Sequence, residues 1–330
     1  MKEIYLVGGQ QKKGASHMKE WHRQKQGVVL HLNPDSGATI VRLEYTSPLE
    51  ARAGAEASVP FKSSTIHDGK IYICTPTEVL IYTFPQFERI GYVSLPCFND
   101  VHHVRPTPAG NLLVVSTGLD MVVEITLQGE VLREWNTLGQ EPWERFSKDT
   151  DYRKIFTTKP HQSHPNHVFY VGDDIWATRF VQQDAICLTQ PERRINIGLE
   201  RAHDGHVHGD KVYFTTVDGH VVIADLNTLE VEETYNLGEF SAGDPSQVLG
   251  WCRGLQVLGE DKILVGYTRL RPTRFKENVR WAKYRMGMTK SAGAMPTRVA
   301  LYDLKQRKLC WQKTVEDDGL NAIFSVHAFE

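Results

Sequence analysis

Residues 202–224 read AHDGHVHGDKVYFTTVDGHVVIA, and this stretch decides the fold. A histidine-rich run, Ala202 to His208, ends at the turn formed by Gly209 and Asp210. The apolar run Lys211 to Thr215 follows, and a second apolar run, His220 to Ala224, comes after a short gap. Alternation with a period of two, bounded by Gly and Asp, is typical of short β-strands and not of helices.

The same pattern recurs along the chain. Each copy has a strand, a Gly/Asp turn, an apolar strand, a gap, a further apolar strand and a more polar fourth strand. Four-stranded repeats of about 40 residues are typical of propeller blades. The apolar strand that follows the turn is visible in five copies: Lys70 to Cys74, Asn111 to Val115, Asp174 to Thr178, Lys211 to Thr215 and Lys262 to Gly266.

A sixth copy is split between the two ends of the sequence. The first strands of the chain lack an inner strand, and the last run, Ala322 to Phe329, lacks partners. Joining them completes a blade and closes the ring. The sequence therefore predicts one all-β domain over residues 1–330, a six-bladed β-propeller whose N- and C-terminal strands share a blade. The predicted blades are 322–330 with 1–47, 61–96, 98–138, 163–200, 202–238 and 251–315.

Composition narrows the function classes. The 330 residues include 38 Lys and Arg against 40 Asp and Glu, a net charge of −2, which argues against nucleic-acid or membrane-surface partners. No apolar run is long enough to span a bilayer or to act as a signal peptide at the start. Five scattered cysteines without a CxxC pair favour a reducing compartment. We expect a cytoplasmic monomer or homodimer.

Fourteen histidines are the unusual feature of the composition. A His-Val pair recurs at His103, His167 and His206, each at an equivalent place in successive inner strands, and the closing strand carries His327. Equivalent positions in a propeller converge on the central channel. Converging neutral imidazoles suit Fe, Mn or Zn, so these four are the predicted metal ligands. The alternative is that they are packing and hydrogen-bonding residues at the mouth of the core strands.

Three short motifs carry a family resemblance. Phe98-Asn99-Asp100, Pro165-Asn166-His167 and His203-Asp204-Gly205 precede or begin successive inner strands. In this order the chain resembles the gluconolactonase/regucalcin-like group of six-bladed propellers, which includes the paraoxonases. The resemblance implies that Asn166 and Asp204 bind a divalent cation, usually Ca²⁺, that Asn99 and Asp100 lie near the substrate, and that the reaction is hydrolysis of a lactone or ester.

The histidine pattern and the oxygen-ligand pattern assign neighbouring residues of one strand to the same site. His167 stands where the family has Gly, and neighbouring residues on a regular strand point in opposite directions, so Asn166 and His167 both reach the site only if the backbone is irregular. We favour the histidines as ligands and keep the oxygen-ligated Ca²⁺ site as the alternative.

Further residues complete the predicted site. Asp204, His164 and Asp100 are the candidate acid/base groups, and His161 lies close to His164 at the same rim, where both suit proton transfer. Arg253 anchors an anionic substrate or forms a salt bridge. Asn99, Asn166 and His161 join it as substrate-binding candidates. The basic segment 269–298 is either a lid over an anionic substrate or a solvated loop.

The sequence thus predicts a metal-dependent enzyme that acts on a small polar or anionic molecule at the channel mouth, foremost as a lactone or ester hydrolase. A histidine-ligated lyase or oxygenase is the alternative, because four-histidine iron in a propeller is what carotenoid-cleavage enzymes use. A non-catalytic interaction platform is the alternative of another class, since a fold alone does not decide function.

Overall fold

The computed structural model describes residues 1–15, 18–199, 201–240, 248–259, 261–270 and 295–329. These residues form six separate four-stranded antiparallel sheets arranged in a ring. The predicted six-bladed β-propeller, closed by its terminal strands, is confirmed. Most of the predicted lid, residues 271–294, lies outside the described residues.

Blade 1 contains both ends of the chain. Its innermost strand is the last one, β24, and β1 pairs with β24 on one side and with β2 on the other. Tyr5 lies opposite His327 in this clasp, and Leu6 lies opposite Val326. The strands of blade 1, from the channel outwards, are β24 (Ala322–Phe329), β1 (Glu3–Gln11), β2 (Gln24–Leu32) and β3 (Thr39–Tyr45).

Blades 2 to 6 follow in chain order, each running from an inner strand at the channel to an outer strand at the rim. Blade 2 holds β4 (Ser64–His67), β5 (Lys70–Cys74), β6 (Val79–Thr83) and β7 (Arg89–Val93). Blade 3 holds β8 (Val101–Pro106), β9 (Leu112–Ser116), β10 (Met121–Ile125) and β11 (Val131–Asn136). Blade 4 holds β12 (Pro165–Val171), β13 (Asp174–Arg179), β14 (Asp184–Cys187) and β15 (Arg194–Asn196). Blade 5 holds β16 (Ala202–His208), β17 (Lys211–Thr216), β18 (His220–Asp225) and β19 (Val231–Asn236). Blade 6 holds β20 (Trp251–Leu258), β21 (Lys262–Thr268), β22 (Arg298–Asp303) and β23 (Lys308–Thr314).

Helical structure is limited to single turns in the described part of the chain. None of these turns is long or apolar enough to cross a membrane. The short α-helix α1 lies in the loop between β1 and β2, on the side where the inner strands begin. The helical turns are α1 (Glu20–Arg23) and the 3₁₀ turns Leu49–Ala51, Thr117–Leu119, Tyr152–Lys154 and Leu237–Glu239.

The hydrophobic core is divided among the blade interfaces. Alternate residues of each strand face the preceding and the following blade, so that each of the six interfaces holds its own buried apolar cluster. The cluster between blades 6 and 1 joins Leu264 and Val299 to Leu6, Ile323 and Val326. The clasp strand therefore supplies both hydrogen bonds and apolar packing to the closed ring.

The inner strands share an irregularity at the same level. A β-bulge interrupts pairing between Val101 and His103, and others lie between Pro165 and His167 and between His203 and His206. The strands β20 and β24 are irregular near Gly254 and Phe324, and Lys62 and Ser63 both bond to Cys74 before β4. A bulge leaves one residue out of the ladder and re-aims its side chain. We call this end of the channel, where the inner strands begin, the upper mouth.

The clasp makes a direct test of the fold possible. The substitution Ile323→Ala should lower the free energy of unfolding by about 2–5 kcal/mol, because Ile323 is fully buried between blades 6 and 1. The matched control Ile40→Ala removes a side chain that is 58% exposed on β3 and should change stability by less than about 0.5 kcal/mol. Denaturant unfolding measures both, and equal effects would contradict the role of the clasp.

Candidate functional site

Side chains from one blade satisfy the channel-facing backbone of the next blade. The N–H of Val168 on β12 donates to His103 Nδ1 at 3.2 Å, and its carbonyl accepts from Arg105 Nε at 3.0 Å. Asn166 Nδ2 donates to the Ala202 carbonyl at 2.9 Å, and Thr65 Oγ1 donates to the Val104 carbonyl at 2.7 Å. We call these contacts inter-blade stitches. They pair polar backbone groups that the innermost strand would otherwise leave open.

His103 is one of these stitches and does not have the geometry of a metal ligand. Its Nδ1 accepts the Val168 N–H, so the ring proton must lie on Nε2, which faces Thr65 Oγ1 at 3.3 Å. Neither nitrogen keeps a lone pair for a metal. His103 also stacks on His167 with ring centroids 3.7 Å apart, so the two rings lie side by side and do not converge on a point.

The four predicted ligands are not brought together as a metal site. His327 Nε2 shares a hydrogen bond with Ser64 Oγ at 2.8 Å, while His167 and His206 lie near the Arg105 guanidinium. Among the residues described, no three His, Cys, Asp or Glu side chains are placed to hold a metal ion. The residues present therefore do not fit the predicted Fe, Mn or Zn centre.

The alternative oxygen ligands are also engaged. Asn166 Oδ1 accepts from His102 Nδ1 at 2.7 Å. The Asp204 carboxylate accepts the Gly254 N–H at 3.1 Å and the Thr215 hydroxyl, and it is buried. Gly254 has a φ of +73° and its Cα lies against β24, a position that only Gly fits without strain. Asn166 and Asp204 thus connect blades 3 to 6 and offer no open Ca²⁺ site.

Asp204 is a buried carboxylate held in its ionised form. Burial raises the pKa of Asp204, but His203, whose Nδ1 lies 3.5 Å from Asp204 Oδ1, and the nearby His167 together lower the pKa below its usual value. A carboxylate with these partners has a structural role in joining blades 5 and 6. The geometry does not place it as the acid/base group that the sequence predicted.

The upper mouth holds a cavity of about 150 Å³. Its walls come from the loops around α1, residues 52–60 and residues 153–159, and its floor comes from the first residues of β20 and β24. The lining has seven basic side chains against Glu20 and Asp100, and three of the seven form ion pairs: Arg153 with Asp151, Lys159 with Glu20 and Arg269 with Glu316. The basic side chains are Arg23, Arg52, Lys62, Arg153, Lys159, Arg253 and Arg269.

Three of the polar side chains at this mouth form a compact trio. Lys62 Nζ lies 3.0 Å from Asp100 Oδ1, His102 Nε2 lies 3.3 Å from the same oxygen, and Lys62 Nζ lies 3.4 Å from His102 Nε2. Asp100 has a φ of +47°, a left-handed conformation that Asp tolerates better than most residues. Burial raises the pKa of Asp100, but Lys62 and His102 outweigh it and hold the pKa well below its usual range.

The hydrogen bond to Asn166 fixes the tautomer of His102. Because Asn166 Nδ2 donates to the Ala202 carbonyl, its Oδ1 must accept from His102, and the ring proton therefore lies on Nδ1. The Nε2 lone pair then faces Lys62 and Asp100. Burial lowers the pKa of His102 to about 4; Asp100 opposes this shift, and Lys62 adds to it. His102 is a neutral base at pH 7.

An aromatic floor lies beside the trio. Phe324, the bulged residue of β24, lies between two cations, with Lys62 Nζ 5.3 Å and the Arg253 guanidinium 5.1 Å from its ring centroid. The Arg253 guanidinium also lies 4.8 Å from the ring centroid of Trp251. Cation–π contacts of this kind keep both charges at the mouth. The predicted position of Arg253 beside the site agrees with this geometry.

His161 and His164 form a second imidazole pair at the same mouth. Their Nδ1 atoms are 2.6 Å apart, and the His164 ring lies edge-on to His102 with centroids 5.0 Å apart. Asp120 holds the turn that carries them, because its carboxylate accepts the backbone N–H groups of residues 162, 163 and 164. Burial and neighbouring imidazoles hold the pKa of His164 well below its usual value.

Asn99 shapes the wall of the cavity. Its Nδ2 donates to the carbonyls of Tyr152 and Ile155, each at 2.8 Å, and so fixes the loop that lines the mouth. Asn99 is itself 2% exposed and lies among the lining residues. The predicted substrate-binding role becomes a positioning role in this geometry.

Comparisons with known proteins support the fold and no finer assignment. No family model matches the chain, and no curated protein matches it. A solved protein of unknown function from Bacteroides caccae is similar over 99% of this chain and 98% of its own, with 14% identity and a TM-score of 0.61. The C-terminal WD40 domain of Sif2 matches at 9% identity over 99% of this chain and 83% of its own, with a TM-score of 0.49. At 14% identity the likeness to the Bacteroides caccae protein shows a shared fold alone, and the match to the Sif2 domain carries no argument.

The sequence reasoning missed His102 and Lys62. His102 directly precedes the repeated His-Val position, and only the bulge turns it, in place of His103, towards the mouth. Lys62 lies before β4, where no His-Val or Asn-Asp motif marks the blade. The available signal was the run Asn99 to His103, in which two adjacent histidines follow Asn-Asp.

Buried neutral histidines predict a stability that depends on pH. Burial lowers the pKa values of His102, His206 and His327 to about 4, against about 6.5 in an unfolded chain. Between these values the unfolded state binds more protons, so stability should fall as pH falls from about 6.5 to 4, by about 1.4 kcal/mol per pH unit for each histidine. Denaturant unfolding at several pH values measures the slope. His327→Gln should reduce it, and a flat profile would contradict the burial.

The geometry also predicts the metal content. Because both nitrogens of His103 are engaged, we expect elemental analysis of the purified chain to find no stoichiometric Fe, Mn or Zn, and His103→Gln to lower thermal stability without changing metal content. A stoichiometric metal that disappears in His103→Gln would restore the predicted four-histidine centre.

Proposed function

We propose that this propeller is an enzyme that uses acid–base catalysis on a small anionic substrate at its upper mouth. The observation that carries the proposal is the trio of Lys62, Asp100 and His102, in which Lys62 and Asp100 line the cavity and the buried His102 lies directly behind them. Neutral His102 has a fixed tautomer whose Nε2 lone pair faces Lys62 and Asp100, the two residues that separate it from the cavity. A base aligned by a neighbouring amide, beside a cation and a carboxylate, is a common arrangement for proton abstraction.

Hydrolysis of a lactone or ester is the reaction that best uses these groups. His102 Nε2 would take a proton from water as the water oxygen attacks the carbonyl carbon. The negative charge that develops on the carbonyl oxygen would face Arg253, as in an oxyanion-binding site. When the carbon–oxygen bond breaks, the imidazolium would return the proton to the leaving alkoxide. The resemblance to the gluconolactonase/regucalcin-like group supports this reaction class, but the catalytic groups differ from the ligands that it implies.

The binding of an anion at the mouth would increase the basicity of His102. In the free chain the charge of Lys62 lowers the pKa of His102 and the charge of Asp100 raises it. If Lys62 turns to pair with a substrate carboxylate or phosphate, Asp100 remains as the nearest charge. The pKa of His102 then rises towards neutral pH, where a general base is most effective. Substrate charge and catalysis are linked by this exchange of partners.

The described residues favour an enzyme over an interaction platform. A platform would present exposed aromatic side chains around a filled channel. In the part of the chain that the structure describes, most of the exposed large apolar side chains lie on outer strands or away from the channel, and Phe156 lies at the mouth. The mouth itself is a cavity lined by charges.

Substitution of the trio tests the proposal. A panel of lactones and esters is offered to the purified chain, each substrate with a carboxylate or phosphate substituent and each paired with its neutral analogue. His102→Gln should lower kcat/KM about 10²–10⁴-fold, because it removes the base but keeps the polar side chain. Lys62→Met should raise KM for the charged substrates more than for the neutral ones. Activity should survive dialysis against a chelator.

The exposed His67 provides the matched control. It lies at the end of β4, and His67→Gln should leave kcat/KM within twofold of the parent. Thermal unfolding of each variant separates loss of the base from loss of the fold. A His102→Gln chain that is folded and fully active would refute the assigned role, and a parent chain that turns over none of the panel would refute the reaction class.

A further inference from the structure

The lower half of the channel contains three polar side chains with nitrogen atoms that no inter-blade stitch satisfies. Beyond the bulges, towards the ends of the inner strands, lie Arg105 on β8, His167 on β12 and His206 on β16. No hydrogen bond from the described residues reaches either ring nitrogen of His167 or His206, and the two Nη atoms of Arg105 donate to none of the described groups. The channel histidines His102, His103 and His327, by contrast, all have partners.

Arg105 is held in place but is not neutralised. Its Nε donates to the Val168 carbonyl on the channel-facing edge of β12, which anchors the guanidinium against blade 4. None of the carboxylates in the described part of the chain forms an ion pair with it. The side chain is half-buried and its Nη atoms are not among the fully buried unpaired atoms, so they remain accessible to a small molecule. A partly buried guanidinium without a counter-charge is costly unless an anion from outside pairs with it.

The neighbouring imidazoles favour an anion over a cation. Burial holds the pKa of His167 well below its usual value, and burial lowers that of His206 to about 4. The charge of Arg105 lowers both pKa values further, and the charge of Asp204 only partly opposes these shifts. The positive charge of Arg105 repels a metal ion, even though His167 and His206 are residue types that could bind one. Neutral imidazoles can each turn an N–H towards an oxyanion. His167 is already oriented, because its ring stacks on His103.

We propose that the lower channel is a binding site for a small oxyanion, which the Arg105 guanidinium holds through paired N–H groups and which His167 and His206 contact from the side. The ligand class is phosphate, sulfate or a carboxylate, because a guanidinium fork matches two oxygens of such a group. This site is separate from the upper mouth and does not depend on the function proposed there. It also accounts for two of the histidines whose repeat pattern suggested a metal.

Inorganic phosphate is the probe. Calorimetric titration at low ionic strength should detect a phosphate site that Arg105→Met weakens at least tenfold and that Arg105→Lys also weakens, since an ammonium lacks the fork. Lys62→Met, which alters only the upper mouth, should leave this site within twofold of the parent. In the parent chain, phosphate should shift the ring ¹⁵N resonances of His206 and His167, and the exposed His67 should not respond.

Two results would overturn the inference. Phosphate affinity that persists in Arg105→Met, or that is lost in Lys62→Met alone, would place the anion elsewhere. Phosphate that leaves the His206 and His167 resonances of the parent chain unchanged would show that the lower channel does not bind it. The resonance measurement needs no variant, so it decides the question even if Arg105→Met fails to fold after losing its contact with Val168.

Discussion

The structure depends on satisfying the innermost strand of each blade. Such a strand has a sheet on one side and a channel on the other, and its outward N–H and carbonyl groups would otherwise be left open. Side chains of the adjacent blade supply the missing partners: His103 and Arg105 for Val168, and Asn166 for the Ala202 carbonyl. This requirement accounts for polar side chains at equivalent places in successive blades. When a polar residue recurs at equivalent positions of a propeller, a role in joining the blades should therefore be considered before a role as a metal ligand.

The sequence predicted the propeller because strand periodicity and turn residues are local properties. It also predicted correctly that the rim positions of successive blades meet at one channel. What each side chain does there could not be read from spacing, because the bulges decide which of two neighbours turns inwards. For this reason His102, for which the sequence predicted no role, lies at the upper mouth in place of His103, and Asn166 is the partner of His102. Lys62 carries no motif, and only the closed ring brings it to Asp100.

The two ends of the channel share chemistry but differ in balance. At the upper mouth a lysine and a carboxylate flank the neutral imidazole of His102. The carboxylate raises the pKa of His102 and the lysine lowers it. In the lower channel Arg105 lowers the pKa of His167 and of His206, Asp204 opposes this effect from its place between blades 5 and 6, and no carboxylate among the described residues forms an ion pair with Arg105. The first arrangement suits proton transfer, and the second suits holding charge. Successive residues of an inner strand point in different directions, and this alternation is enough to place different side chains at the upper mouth and in the lower channel.

The clasp of blade 1 also determines the order in which the molecule can assemble. Five blades are built from consecutive strands, whereas blade 1 waits for β24, and the hydrogen bond between Ser64 and His327 joins residues 263 positions apart. Until β24 arrives, β1 presents an open edge, and the apolar faces of blades 1 and 6 lie uncovered. An open edge accepts any matching strand. The geometry that closes the ring therefore also allows β24 of one chain to complete the first blade of another, so that strand exchange competes with closure during folding.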